Sequence, residues 1–260
     1  MNDNDIKKTA VEAEKSRDGF AMRDTTAVIM PSALSSKVKG KLLDDDINVG
    51  QKSITDSIRL GRIDTLLCNS CKHKQCKVKD SGIARTKPRG SQYAKVMFIN
   101  KMPSQFETAC GTSVCDEKGI LISVILSKMN VPVESIYFTD VVKCHGSISE
   151  AEWINQCVKE YLTEEIDIVK PQVIITNGIA VLRILKFAGI ITQLPETIEY
   201  GKIYECECNG IKIKAISIYE LEKVLMKEGT ELTKCKNELW TQLLTAFTEA
   251  KLTNVFSTLK

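Results

Sequence analysis

The sequence predicts an α/β fold, a three-layer α/β/α arrangement around a mainly parallel central sheet. Three observations carry this. Short apolar, β-favouring runs recur at Lys95-Val-Met-Phe-Ile99, Ser135-Ile-Tyr-Phe-Thr-Asp-Val-Val142 and Pro171-Gln-Val-Ile-Ile-Thr176. Segments of helical spacing stand between them, and strands that alternate with helices build a parallel-rich sheet covered on both faces. Asn209-Gly210 lies between two alternating runs in Ile203–Ile218, which is a hairpin signal.

The helical segments follow in order. Ile54 to Leu67 carries a short helical pattern, and Gly119 to Met129 places Leu121, Ile122, Ile125 and Leu126 on one side. Ser149-Glu-Ala-Glu152 is a capping box that starts a helix. On it Trp153, Cys157 and Tyr161 fall at i, i+4 and i+8, so Cys157 is directed inward. Asn177-Gly178 opens a helix through Leu185, and Glu231 to Ala250 closes the chain as an amphipathic helix.

At 260 residues, 43% hydrophobic and 27% charged, the composition is that of a globular protein, and no apolar run reaches the length of a membrane span. Residues 1–60 lack sustained periodicity and mix Asp, Lys, Ser and Thr, which predicts a flexible extension before a domain over 61–260. The acidic, polar start Met1-Asn-Asp-Asn-Asp5 is no secretory signal, so an intracellular, cytoplasmic protein with no membrane partner is expected. Eight Lys and Arg residues between Lys72 and Lys95 face one acid, Asp80. Such a segment can lie along phosphates or stand as a solvated loop.

Asp140 stands near the C-terminal end of an apolar strand, where ligands of open α/β sheets bind. A carboxylate there is costly unless it meets water, a partner or a ligand. Ten cysteines in an intracellular chain point to metal or packing rather than disulfides. Cys110, Cys115, Cys206, Cys208 and Cys235 receive no role. Cys68 and Cys71 form a C-x-x-C pair, and a strand end (Cys144) with a facing helix (Cys157) can complete a four-thiolate site. A local zinc held by Cys68, Cys71, His73 and Cys76 is the alternative.

The C-x-x-C pair, the basic loop, the strand ending in a turn at Pro103, the run Val141-Val-Lys-Cys144 and the helical Cys157 together resemble the iron–sulfur uracil-DNA glycosylases of family 4. The resemblance spans about Leu66 to Leu252, and Val173–Ala180 and Glu238–Leu243 extend it. It implies that Cys68, Cys71, Cys144 and Cys157 hold a [4Fe–4S] cluster of structural role. It also implies a DNA partner, a hydrolase of the N-glycosidic bond in base-excision repair, and DNA contacts at Lys87, Arg89, Pro103, Ser104 and Lys143.

Four positions depart from the family pattern. Asn100-Lys101-Met-Pro-Ser104 carries lysine where the family has a water-orienting acid. Gly111-Thr-Ser-Val114 ends in valine in place of a base-stacking phenylalanine. The late histidine is absent, with Ser217 or its neighbours in its place, and the base-reading asparagine corresponds to Asp140. The expected base pocket is therefore Met102, Val114 and Asp140, and the expected catalytic set Lys101, Asp140 and Ser217. Because a carboxylate only accepts hydrogen bonds, Asp140 suits the exocyclic amine of a cytosine-type base. Lys101 is a candidate nucleophile or a phosphate contact. The other reading is a catalytically inactive relative that binds DNA or a replication or repair protein, the latter through the N-terminal extension.

Overall fold

The computed structural model describes residues 55–61, 85–146, 154–155 and 157–253. Residues 1–54 of the expected 1–60 extension, the cysteines Cys68, Cys71 and Cys76, His73 and the capping box at Ser149 lie outside the described residues, as does the Ile54–Leu67 segment beyond the helical stretch 55–61.

Five strands form one sheet: β1 (Val96–Asn100), β2 (Ile136–Asp140), β3 (Val173–Asn177), β4 (Ile203–Cys208) and β5 (Ile211–Ile218). Their order is β2-β1-β3-β5-β4, with every neighbouring pair parallel except the β4–β5 hairpin. The hairpin turns on Asn209 and Gly210, both at positive φ, as a tight turn of this kind requires. Strands β1, β2 and β3 are buried along their whole length, which is why they read as continuous apolar runs rather than alternating ones.

Alternation along the strands divides the core into two layers. Met97, Ile99, Tyr137, Ile174 and Ala215 face one side, with α3 (Thr163–Val169) and α4 (Ile179–Phe187) over them. Val96, Phe98, Ile136, Phe138, Ile175 and Ile216 face the other, under α2 (Glu117–Lys128), α5 (Leu221–Leu225) and α6 (Gly229–Glu249). The three-layer α/β/α arrangement expected from sequence is the arrangement found. Helix α1 (Gln105–Cys110) follows β1 directly, opened by a capping box at Ser104 and closed by Gly111 in the left-handed region.

One local expectation changes. Cys157 and Tyr161 fall in different apolar clusters, and Val158–Leu162 between them forms a π-helical turn before α3. The wider turn shifts the register. Cys157, Val158 and Leu162 join the large core, whereas Tyr161 packs with Ile168 and Leu60.

Candidate functional site

The parallel strands end together, and their last row is polar. Asp140 closes β2, Asn100 closes β1 and Asn177 closes β3, with Asn100 and Asp140 in direct register. The three are buried and linked. Asn100 Nδ2 donates to Asp140 Oδ1 at 3.0 Å and to the Met102 carbonyl at 2.9 Å. Asn177 Nδ2 donates to Asn100 Oδ1 and to Glu222 Oε2, each at 2.9 Å, while Asn177 Oδ1 accepts from the Leu221 amide at 2.8 Å.

The turn after β3 makes this possible. Gly178 sits at φ 94, and a Cβ there would lie 2.5 Å from Glu220 Cγ, so only glycine lets β3 turn into α4 beside the β5–α5 connection.

Asp140 is fully enclosed, at 0% exposure. Besides Asn100, its carboxylate accepts from Thr86 Oγ1 at 3.3 Å and, through a very short contact, from Ser113 Oγ. Ser113 is carried on a loop bound to the segment at Lys87, whose amide donates to Gly111 O and whose carbonyl accepts from the Ser113 amide. Burial pushes the Asp140 carboxyl up to about 6, against the opposing pull of the Ser113 bond, the Lys143 charge and the Asn100 bond. A buried acid needs such partners, and these are the ones the fold supplies.

From Glu222 the network continues to a buried cation. Lys118 Nζ lies 3.3 Å from Glu222 Oε1, 2.9 Å from Asp116 Oδ2 and 3.2 Å from Glu107 Oε2, with its side chain 5% exposed. Burial lowers the Lys118 pKa, but the Asp116 bond and the charges of Glu107 and Glu222 outweigh it and hold the ammonium above the usual lysine range. Burial would also raise Asp116, yet its bonds to Lys118 and Ser104 bring it below the ordinary carboxylate value. Lys118 is therefore a fixed cation, not a proton shuttle. Ser104 closes the circuit by donating to Asp116 at 2.9 Å and capping α1.

The expected site residues fall in different places. Lys101 is exposed just past β1, and Lys87 is exposed on its bridging segment. Pro103 is buried, with its carbonyl 3.0 Å from His145 Nδ1, and Ser104 is half-buried. Val114 is buried in the core on the α2 side at φ 52, an unusual conformation for a β-branched residue. Met102 packs against the core of the opposite face. Met102, Val114 and Asp140 thus do not enclose one open pocket.

The remaining three expected residues are placed as follows. Lys143 is no surface contact: its side chain is 1% exposed, and its ammonium lies 2.7 Å from Glu165 Oε1 and bonds Thr139. Ser217 sits one residue short of the end of β5, buried, with its hydroxyl accepting from Thr176 Oγ1 at 3.1 Å. Its side chain belongs to the interior row next to the terminal one. Arg89 is half-buried with its guanidinium 4.7 Å from the centre of the Phe138 ring, two residues back from the strand end.

Asn177, Glu222 and Lys118 were not anticipated as site residues. Asn177 carried a signal, since a polar residue at the C-terminal end of an apolar run is what singled out Asp140. Lys118 and Glu222 are 104 positions apart in the chain, and nothing local marks their meeting.

Of the four candidate cluster cysteines, two are described. Cys144 follows β2 and Cys157 precedes the π turn; each is 5% exposed, and both belong to the same apolar core. Both thiols lie in a dry apolar shell, one past a strand end and one on a helix.

Comparison with known proteins agrees with this architecture. The model of the uracil DNA glycosylase superfamily matches residues 87–244, more than half of the chain. The chain is 27% identical over 148 residues to the type-4 uracil-DNA glycosylase of Archaeoglobus fulgidus, covering 53% of this chain and 70% of that protein. It is 26% identical over 142 residues to the type-4 enzyme of Pyrobaculum aerophilum, covering 53% and 71%. A DNA polymerase of Bacillus phage SP01 also matches, at 26% identity over 46% of this chain and 13% of its own length. The chain belongs to the uracil DNA glycosylase superfamily. Among its described residues, no helix is long and apolar enough to cross a membrane.

Proposed function

We propose that the chain is an intracellular DNA glycosylase that hydrolyses the N-glycosidic bond of a base flipped out of DNA, and that Asp140 reads this base. The observation that carries the proposal is the position of Asp140 in the terminal polar row of a superfamily fold, its carboxyl raised to about 6 by burial. The two relatives described as type-4 uracil-DNA glycosylases support the excision chemistry.

The raised pKa sharpens base selection. Ionised, Asp140 only accepts hydrogen bonds and matches the exocyclic amine of a cytosine-type base. Protonated, it offers one donor and one acceptor, the pair an asparagine amide would offer to a uracil edge. Selection of the amine-bearing base therefore strengthens as pH rises through about 6.

Hydrolysis adds water to the sugar carbon while the base departs with the bonding electron pair. Lys101, exposed beside the strand ends, holds a phosphate next to the extruded nucleotide, and Lys87 extends the same electrostatic contact. Cys144 and Cys157, with Cys68 and Cys71, would hold a [4Fe–4S] cluster; zinc is the alternative occupant. When bound, the cluster ties the end of β2 to the helix of Cys157 and orders the chain near DNA.

A second reading rests on a specific observation: Asp140 is wholly enclosed and its carboxylate already accepts three hydrogen bonds. In this reading the chain binds DNA without cutting it and serves replication or repair as a partner. The matching segment of a phage DNA polymerase supports that setting.

One assay separates the two. Duplexes carrying uracil, cytosine or a modified cytosine are incubated with excess protein and then treated with alkali to reveal abasic sites; borohydride is added in parallel to trap any Lys101 adduct. Cleavage at a cytosine-type base supports the glycosylase. Salt-dependent binding without base release supports the second reading, and absence of both contradicts each.

A further inference from the structure

Beside the polar network lies a groove of about 850 Å³ that the reading above does not use. Its walls come from α1, α2 and α5. Phe106 is 59% exposed, Ile120 65% and Met226 80%, and Leu225 joins them along the groove. Val124, one turn beyond Ile120 on α2, continues the apolar surface at 48% exposure. Single exposed apolar side chains are ordinary, but a contiguous set along one groove marks a place where another molecule sits.

The charge around the groove restricts what that molecule is. Asp116, Glu117 and Glu222 line it, against Lys118 alone. The Lys118 ammonium is already committed to three carboxylates, so it has little left to offer a ligand anion. Glu117 is exposed, and no salt bridge joins it to another of the described residues. A phosphate backbone is repelled by this lining. A polypeptide with an apolar stripe and flanking Lys or Arg matches both features at once.

We propose that this groove docks an amphipathic, basic helix of a protein partner, its apolar stripe lying across Phe106, Ile120 and Met226 and its basic flank facing Glu117 and Glu222. Helix-in-groove recognition of this kind places anchors at i, i+3, i+4 and i+7 along the guest. The groove is walled by three helices, so it offers ridges along which such a stripe can lie. It borders the strand-end site through Ser104, Asp116 and Glu222 but does not include Asp140. A bound partner would therefore sit next to the DNA-facing edge without filling it.

The test uses the full chain and a labelled synthetic 20-residue helix with leucines at i, i+3, i+4 and i+7 and lysines on the flanks. Its twin carries glutamates in place of the lysines. Fluorescence anisotropy is expected to show binding of the basic helix only. Met226→Ser and Ile120→Asp, both surface changes, should each weaken it at least tenfold, and Glu117→Lys severalfold. Circular dichroism confirms that the variants remain folded. Equal binding of the acidic twin, or indifference to all three substitutions, overturns the proposal. So does a homodimer dissolved by Ile120→Asp, which would make a second copy the occupant, and so does a duplex DNA that competes for the groove.

Discussion

Asn100 holds Asp140 across the β1–β2 pair: the two residues stand in register at the end of neighbouring parallel strands, and the amide of one donates to the carboxylate of the other at 3.0 Å. Through its own carbonyl Asn100 is tied to Asn177, and through Asn177 to Glu222 and Lys118. The buried acid at the strand end is thus joined to a continuous polar chain, while burial is what raises its pKa.

Stability should report the ionisation of Asp140. Its folded carboxyl titrates near 6 against an ordinary value of 3.8. Between these values the folded state binds more protons than the unfolded one, so this residue favours the folded state most at low pH. That contribution is lost as pH rises through about 6. A shift of this size corresponds to about 3 kcal/mol at neutral pH. Urea denaturation of wild type and Asp140→Asn from pH 4 to 8 should show the asparagine variant gaining relative stability as pH rises. A parallel pH dependence for the two proteins would contradict the burial argument.

Lys118 should be a keystone of the fold. Removing its charge leaves Glu107, Asp116 and Glu222 facing one another around a largely buried point. Breaking a buried pair by deleting one partner costs about 3–5 kcal/mol. Lys118→Met should therefore lower the denaturation midpoint sharply at pH 7 and recover part of the loss at low pH, where the carboxylates protonate. A loss under 1 kcal/mol would mean that the three carboxylates relax into solvent.

The lysines divide into buried and exposed ones. Lys143→Met should destabilise the fold by about 3–5 kcal/mol, since it strands Glu165 in the core. Lys87→Ala and Lys101→Ala should leave stability nearly unchanged and each lower the salt dependence of DNA binding by about one counterion. Measuring the dissociation constant between 50 and 200 mM salt checks this. An unchanged slope in both surface variants would move the DNA contact elsewhere.

The contrast between these lysines shows what a sequence can and cannot reveal. The strands at Val96, Ile136 and Val173 and the Asn209-Gly210 hairpin were legible because apolar runs and turn residues are local signals. Asp140 was legible for the same reason, as a charge at the end of a buried strand. Lys143 read as a DNA contact, since its partner, Glu165, lies on a helix 22 residues away and no periodicity announces a buried ion pair. The π turn at Val158–Leu162 escaped because helical spacing assumes a uniform turn. The family departures at Lys101 and Val114 were visible, but the Lys118–Glu222 contact next to them is purely tertiary.

The cysteines offer a simple optical check. If Cys144 and Cys157 close a cluster with Cys68 and Cys71, the protein purified without oxygen should be brown, with broad visible absorbance lost in Cys144→Ala. A colourless protein containing zinc would instead fit the local set Cys68, Cys71, His73 and Cys76, with Cys144 and Cys157 only packing.

The most direct measurement is base release by wild type and Asp140→Asn on duplexes carrying uracil or a modified cytosine, at pH 5.5 and 7.5. Reading by Asp140 predicts that wild type favours the cytosine-type base at pH 7.5, that this preference weakens at pH 5.5, and that Asp140→Asn favours uracil at both. Base release whose selectivity is the same in wild type and variant at both pH values would contradict it.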